Sequence, residues 1–257
     1  MTDSSDDCFQ IAAKLIQESH HAIVFTGAGI STPSGIPDFR STGTGLWQKS
    51  DPMLFASLTA FRYHPDRFFR WLKPLLQASK QAVPNPAHLA ISRLEQLGRV
   101  KSVITQNIDN LHQKAGSGYV IELHGSMEQF HCPSCQKPAS DPAGIIEEII
   151  SGQIPYCTHC GTIMKPDITL YEEPLPMKAW QQASDEVSRA DLMFVIGSSL
   201  EVIPASSLPY DTYRNGGRII ILNYSPTFMD KHADVVIHED AAEVLPGIVE
   251  LISDLEN

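Results

Sequence analysis

Short runs of apolar residues recur along the chain at 22–26, 100–105, 119–123, 192–197, 218–223 and 235–238. They are rich in Val and Ile and lack clean period-2 alternation, as parallel strands covered on both faces do. Helical spacing separates many of them. Residues 7–19 place Phe9, Ala12, Ala13, Leu15 and Ile16 on one side, with Ser4, Ser5 and Asp6 available as caps. Residues 86–96 begin with a proline after Asn85 and stop before Gly98, and 177–189 and 241–255 also read as helices. Strands alternating with helices predict an α/β fold with a Rossmann-like, doubly wound parallel sheet.

Two stretches interrupt the rhythm. Residues 42–83 hold Trp47, Phe55, Phe61, Phe68, Phe69 and Trp71 among scattered prolines, and predict a mostly helical insertion. Residues 131–164 hold two Cys-x-x-Cys pairs and predict a small metal module. The longest apolar runs, such as 192–196 and 219–222, are strand-sized, well short of the ~20 residues a helix needs to span a bilayer. The start, Met-Thr-Asp-Ser-Ser-Asp-Asp, carries no basic segment before an apolar core, so no membrane attachment and a cytoplasmic location are expected. A net charge of −11 disfavours direct nucleic-acid binding, which needs clustered Lys and Arg.

Cys132 and Cys135 are separated from Cys157 and Cys160 by 21 residues. Two residues within each pair let both thiolates of a tight turn face one ion, and four thiolates close a tetrahedral zinc shell. Such a shell has no position left for water, so one structural Zn2+ is expected per chain. Gly161 supplies the permissive backbone such a turn uses. Disulfides or a redox pair are the alternatives, and the absence of a secretory signal weighs against them. His131 and His159 read as bystanders and Cys8 as an ordinary thiol.

Gly27-Ala28-Gly29 follows the first strand, where glycines with positive φ would let backbone N–H groups approach a pyrophosphate. The motif departs from the dinucleotide fingerprint: Thr32 stands where a third glycine belongs, and no acidic residue follows about 20 positions on. A dehydrogenase is therefore disfavoured. Residues 30–40 predict a long ordered loop ending in Asp38, Phe39 and Arg40, although a surface loop with a local Asp–Arg pair explains the same residues. Further polar sets leave other strand ends: Gln106, Asn107 and Asp109; His124 beside Gly125; Gly197, Ser198 and Ser199; Asn223, Tyr224 and Ser225. Carboxyl ends of strands are where open α/β sheets bind ligands, and a histidine placed there can act as a general base.

Together these segments resemble the sirtuins, the Sir2 family of NAD-dependent protein deacylases of bacterial and archaeal type. The resemblance is carried by Gly-Ala-Gly-Ile-Ser (27–31), Gly-Ile-Pro-Asp-Phe-Arg (35–40), Thr-Gln-Asn-Ile-Asp-Asn-Leu-His (105–112), Leu-His-Gly (123–125), the four cysteines, Lys-Pro-Asp-Ile (165–168) and Gly-Ser-Ser-Leu (197–200). It implies a nucleotide-binding domain of residues 1–41, 84–130 and 165–257, and a small domain of 42–83 with 131–164. It implies that an acyl-lysine protein or peptide and NAD meet between them, and that the acyl group passes to ADP-ribose as nicotinamide leaves. By resemblance His124 is the base and Asn107 its catalytic partner. Gly27, Ala28 and Gly29 cradle the phosphates, and Asp38, Phe39, Arg40, Gln106, Asn107, Ile108 and Asp109 line the NAD and nicotinamide pockets. Gly197, Ser198, Ser199, Asn223, Tyr224, Ser225 and Ala241 line the adenosine half. Phe39, Ile108, Thr169 and Leu170 border the acyl-lysine.

The resemblance has departures. Thr-Leu-Tyr-Glu-Glu (169–173) stands where the family often has Val-Phe-Phe-Gly-Glu. Leu72 and Leu75, with Lys73 nearby, fall where relatives acting on acidic acyl groups carry Tyr and Arg, so neutral acyl groups, acetyl first, are expected. Mono-ADP-ribosyl transfer or NAD hydrolysis is the alternative reading on the same pocket, and a non-enzymatic reader of acyl-lysine the alternative from another class.

Overall fold

The computed structural model of the chain describes residues 4–38 and 51–254. Eight strands occur among them: β1 Ala22–Thr26, β2 Val100–Thr105, β3 Val120–Glu122, β4 Gly125–His131, β5 Lys165–Ile168, β6 Leu192–Ile196, β7 Arg218–Leu222 and β8 Val235–Ile237. The helices are α1 Ser4–Glu18, α2 Pro52–Phe55, α3 Leu58–Tyr63, α4 Pro65–Gln81, α5 Pro86–Gln96, α6 Leu111–Lys114, α7 Pro142–Ser151, α8 Met177–Arg189, α9 Ser207–Arg214 and α10 Ala241–Asp254. Six strands form one parallel sheet in the order β3-β2-β1-β6-β7-β8, and β4 pairs with β5 in a separate antiparallel ribbon. The chain thus builds outward on one side of β1, then returns to its other side with β6. Crevices for ligands form at such a reversal of strand order.

The sheet is double-faced, as the unbroken apolar runs require. Val24 of β1 joins Ile16 of α1, Ile91 of α5 and Ile248 of α10 in one buried layer. Its neighbours Ile23 and Phe25 face the opposite layer, with Val187 of α8 and Leu208 of α9. Full burial of a side chain such as Phe25 is worth about 1.5–3 kcal/mol. A third apolar cluster lies apart from both layers. Phe61, Phe68 and Phe69 of α3 and α4 meet edge-to-face there, at 5.1–6.3 Å between ring centroids. Met127 and Phe130 of β4, Ile149 of α7, and Cys132 and Cys157 complete it. The helical insertion and the cysteine module therefore share one core.

Several expected boundaries shift. Ser4, Ser5 and Asp6 stand in the first turn of α1 instead of ahead of it, and that helix ends at Glu18. Strands β3, β6, β7 and β8 end one residue before their expected limits, and β3 also starts one later. At β6 the cause is Gly197, whose φ of 60 turns the chain out of the sheet. Leu255, expected to close α10, lies outside the described residues. Strands β4 and β5 and helices α6, α7 and α9 have no counterpart among the predicted elements.

The glycine loop behaves differently from its sequence expectation. Gly27 has φ −128, and Gly29 is not in the left-handed region. Both are required by a close approach: Gly29 N–H donates to Gly197 O at 2.8 Å, and a Cβ on either residue would meet that oxygen at 2.8 Å. A Cβ on Gly197 would in turn be driven into the backbone of Gly29 and Ile30. Residues Ala28–Ser34 are also not an irregular loop but a 3₁₀ segment. Ile30 N–H returns to Gly27 O at 3.2 Å and the Thr32 hydroxyl donates to Gly29 O at 3.0 Å, while full burial of Ile30 and Ser31 anchors the segment. Gly35, at φ 84, ends it.

Gly197→Ala is accordingly expected to cost about 2 kcal/mol or more, a fall of about 4–8 °C in thermal midpoint for a chain of this size. An unchanged midpoint in differential scanning calorimetry would mean that the β1 and β6 ends can separate without penalty.

Candidate active site

A cavity of about 680 Å³ opens at the carboxyl ends of β1, β2 and β3. Ala28, Ser31, Gln106, Asn107, Asp109 and His124 line its sheet side, with Ile36 and Pro37 from the segment after the 3₁₀ turn. Met127 and Ile108, the residues around 168–175 that follow β5, Trp71 and Leu75 of α4, and Val202, Ile203 and Pro204 form the remaining walls. The strand-end residues expected from sequence thus reach one cleft from three adjacent strands.

Ser31 is the hub of the polar floor and is fully buried. Its hydroxyl donates to Asp109 Oδ2 at 2.7 Å and accepts from Asn107 Nδ2 at 3.1 Å. The second Asn107 amide hydrogen goes to Gly27 O at 3.1 Å, which leaves Oδ1 as the acceptor that amide can offer the cavity. Asp109 Oδ1 accepts from Leu111 N–H at 2.9 Å. Burial raises the Asp109 pKa, partly opposed by the Leu111 and Ser31 hydrogen bonds. Behind Ser31 stand His88 and His112, whose rings meet edge-on at 4.9 Å between centroids. Burial lowers the His88 pKa to about 4 and that of His112 to about 3, so both are neutral. His88 Nδ1 accepts from Asn85 N–H at 3.4 Å, so its proton sits on Nε2, 3.5 Å from Ser31 Oγ. Thr26 gives its hydroxyl proton to Thr105 at 2.8 Å and so receives one from His112 Nε2 at 2.9 Å. The proton positions of the floor are set before any ligand arrives.

His124 differs from these two. Its Nδ1 lies 2.9 Å from Gln106 O, an acceptor only, so Nδ1 carries the proton and Nε2 presents a lone pair. Burial lowers its pKa, partly opposed by that hydrogen bond, and keeps the ring neutral near pH 7. Its carbonyl accepts from Thr169 N–H at 2.8 Å, which ties the candidate base to the neighbouring wall.

That wall contains Thr169 and Leu170, both lining the cavity as expected. Lys165, almost fully buried, holds the segment: its ammonium group donates to Ile168 O at 2.8 Å and pairs with Glu173 at 2.9 Å. On α4 the expectation is met for one position. Leu75 lines the cavity, but Leu72 is fully buried in the third cluster and Trp71 takes the lining place, because the helix turns position 72 inward. Lys73 does not line it. Met177 and Ile203 also border the cavity and were not anticipated. They are 83% and 84% exposed, and in sequence such residues look like core.

The second half of the expected nucleotide site lies beside the cavity and outside its lining. Ser198 Oγ accepts from Gln106 Nε2 at 2.8 Å, which joins the β6 end to the β2 end. Ser199 follows it. Asn223 Nδ2 donates to Ser225 O at 2.7 Å, and the exposed Tyr224 hydroxyl donates to Asp240 at 3.2 Å, just before the buried Ala241 that opens α10. Asp38 follows the cavity residue Pro37, whereas Phe39, Arg40 and residue 41 lie outside the described residues, as do 42–50 of the expected insertion.

The four cysteine sulfurs lie within 4.8 Å of one another, with Cys132–Cys160 at 3.3 Å and Cys135–Cys157 at 3.7 Å. Bonds of ~2.3 Å to a tetrahedral zinc place sulfurs ~3.8 Å apart, whereas a disulfide needs ~2.05 Å. The donor set fits zinc. Each pair is followed by a left-handed residue, Gln136 at φ 59 and Gly161 at φ 74, whose N–H returns to the first cysteine's carbonyl at 2.9 and 2.8 Å. His131 instead pairs with Asp167. None of the four cysteines lines the cavity, so the metal they hold is structural.

A family model described as the Sir2 family matches residues 27–204. Over 253 residues the chain is 45% identical to NAD-dependent protein deacylase 2 of Archaeoglobus fulgidus, covering 98% of this chain and 99% of the relative. A structure from work on the mechanism and regulation of Sir2 enzymes superposes with TM-score 0.91 at 45% identity, over 97% of this chain and 99% of that one. Another, a Sir2 complex with a p53 peptide and NAD+, gives TM-score 0.85 at 40% identity, over 93% and 96%.

Metal analysis is expected to return one zinc per chain. Its removal by a strong chelator should lower the thermal midpoint, since Cys132 and Cys157 belong to the third core; a midpoint indifferent to chelation would refute a folding role.

Proposed function

The chain belongs to the Sir2 family, and from that premise we infer how its cleft works as an NAD-dependent protein-lysine deacylase. NAD is the co-substrate: it supplies the ADP-ribose that receives the acyl group as nicotinamide departs. The observation that carries the assignment is His124, with Nδ1 tied to Gln106 O and Nε2 bare in a cavity that also presents Asn107 and Asp109. His124 is the base that takes a ribose hydroxyl proton, and its fixed tautomer leaves Nε2 as the one nitrogen able to do so.

Asn107 offers Oδ1, and Asp109 with Ile108 holds the nicotinamide carboxamide. Gly27, Ala28 and Gly29 cradle the phosphates, and Asp38, Phe39, Arg40 and Gln106 belong to the same NAD and nicotinamide pockets. Gly197, Ser198, Ser199, Asn223, Tyr224, Ser225 and Ala241 hold the adenosine half, alongside the cavity at the β6 and β7 ends. The acyl-lysine runs between Thr169 and Leu170 on one side and Trp71 and Leu75 on the other, with Ile108 also bordering it; Phe39, assigned to the same substrate by resemblance, lies outside the described residues. No Lys or Arg lines the cavity among the described residues, which favours neutral acyl groups. The apolar wall also has no use in simple NAD hydrolysis, which favours deacylation over that alternative.

We assign residues 1–41, 84–130 and 165–257 to the nucleotide domain, and 42–83 with 131–164 to the small one, the β4–β5 ribbon joining them. No helix among the described residues is long and apolar enough to cross a membrane. Thiols gathered for a metal suit a reducing compartment, and we place the protein in the cytoplasm.

An acetyl-lysine peptide should lose its acetyl group only when NAD is present, with nicotinamide released in step and a succinyl peptide turned over at least about tenfold less well. Nicotinamide release without peptide would point to the hydrolase. His124→Ala should cut turnover by about 10²-fold or more while NAD affinity, measured calorimetrically, stays within a few-fold. Because burial lowers the His124 pKa, the neutral base persists into mild acid, and kcat/KM should fall only below the ordinary imidazole value of about 6.5. An acid limb centred above that value would assign the base elsewhere.

A further inference from the structure

We propose that Glu172 is a positioning and specificity residue that sets the width of the acyl-lysine channel by latching its wall to the helical insertion. The proposal rests on the deacylase reading of the cleft.

Residues 170–173 make a β-turn in which Glu173 N–H donates to Leu170 O at 3.0 Å. Its third residue, Glu172, sits in the left-handed region at φ 75. Glycine or asparagine is the usual occupant there, because a Cβ crowds the following backbone. Glu172 therefore holds a conformation that its own backbone disfavours, and its side chain accounts for it. The two carboxylate oxygens accept from Thr59 N–H at 2.8 Å and from the Thr59 hydroxyl at 3.1 Å.

Thr59 lies in the first turn of α3, where the backbone amides have no helical acceptor and a negative charge is favoured. The first three amides are all satisfied: Leu58 N–H by Tyr171 O at 3.0 Å, Thr59 N–H by Glu172, and Ala60 N–H by Ser57 Oγ at 3.0 Å. The turn after β5 thus caps two of the three. Tyr171 N–H donates back to Ala56 O at 3.0 Å, so the two segments also pair through their backbones. Ala56, Leu170, Tyr171 and Glu172 all line the cavity. The latch is therefore the channel wall itself, fastened to α3 at one end and, through Lys165 and Glu173, to β5 at the other. Released, the wall can move away from Trp71 and Leu75, which weakens the hold on a small acyl group and admits a larger one.

Glu172→Gly removes the clamp and also the backbone crowding, so the variant is expected to fold. With NAD saturating, its KM for an acetyl-lysine peptide should rise about fivefold while kcat stays within about twofold, the pattern of lost positioning. Its kcat/KM ratio for butyryl over acetyl peptide should rise about threefold. Glu172→Gln keeps an acceptor for Thr59 N–H and should lie close to the parent. Thr59→Val should shift KM in the same direction as Glu172→Gly, and adding it to that variant should change little more. Amide hydrogen exchange at Leu58 and Thr59 in the free protein should speed up in Glu172→Gly and not in Glu172→Gln. A Glu172→Gly enzyme with parental KM, acyl preference and exchange overturns the proposal. If the parent itself turns over no acyl peptide, the deacylase reading has failed, and unaltered exchange at Leu58 and Thr59 then overturns the latch independently.

Discussion

The close approach of two backbone turns at the centre of the sheet governs this structure. Gly29 and Gly197 follow the adjacent strands β1 and β6 and meet through a 2.8 Å hydrogen bond with no room for a Cβ on either side. That contact puts the start of the 3₁₀ segment directly over the reversal of strand order, and with it the buried hydroxyl of Ser31. Asn107 and Asp109 leave β2 one strand away and are held by that hydroxyl. Had the two turns stood farther apart, the polar floor would have lacked its hub, and a buried carboxylate would have lost a partner it needs.

The electrostatics of the cleft follow from burial combined with directional hydrogen bonds. His88 and His112 are so deep that desolvation keeps them neutral, and their partners assign each a single tautomer. They serve as fixed donors to Ser31 and Thr26 and do not titrate near neutral pH. His124 is also held neutral, but its free nitrogen faces the cavity. The three histidines thus differ in which ring nitrogen is already engaged.

The remaining walls of the cleft come from parts that share one core. The helical insertion and the cysteine module bury their apolar side chains together as the third cluster. The four cysteines lie in the module's turns, the module packs against β4, and β4 pairs with β5, whose outgoing turn forms one wall of the cavity. A metal held by the four cysteines, outside the cavity, would thereby act on the shape of that wall through packing.

Much of this was written locally in the sequence. Unbroken Val- and Ile-rich runs imply strands buried on both faces, paired cysteines with two residues between them imply a four-thiolate metal site, and Asn85–Pro86 marks a helix start, because each signal depends on neighbours in the chain. The clustering of Gln106, Asn107, Asp109 and His124 was legible too, since strand carboxyl ends in a parallel sheet share one edge. Tertiary structure alone decided the rest. The glycines of the first loop serve a contact with residue 197, far along the chain, and not their own φ. Ala28–Ser34 is helical because Ile30 and Ser31 are buried, which local propensity with a proline and a glycine does not foresee. Trp71 instead of Leu72 faces the cleft because packing of the third cluster sets the rotation of α4. Glu172 holds a glycine-like conformation while Thr59 of α3, more than a hundred residues earlier, presents an amide and a hydroxyl to its carboxylate. Contacts between distant segments have no local signature, and they shaped the walls of a site whose chemistry the sequence had already named.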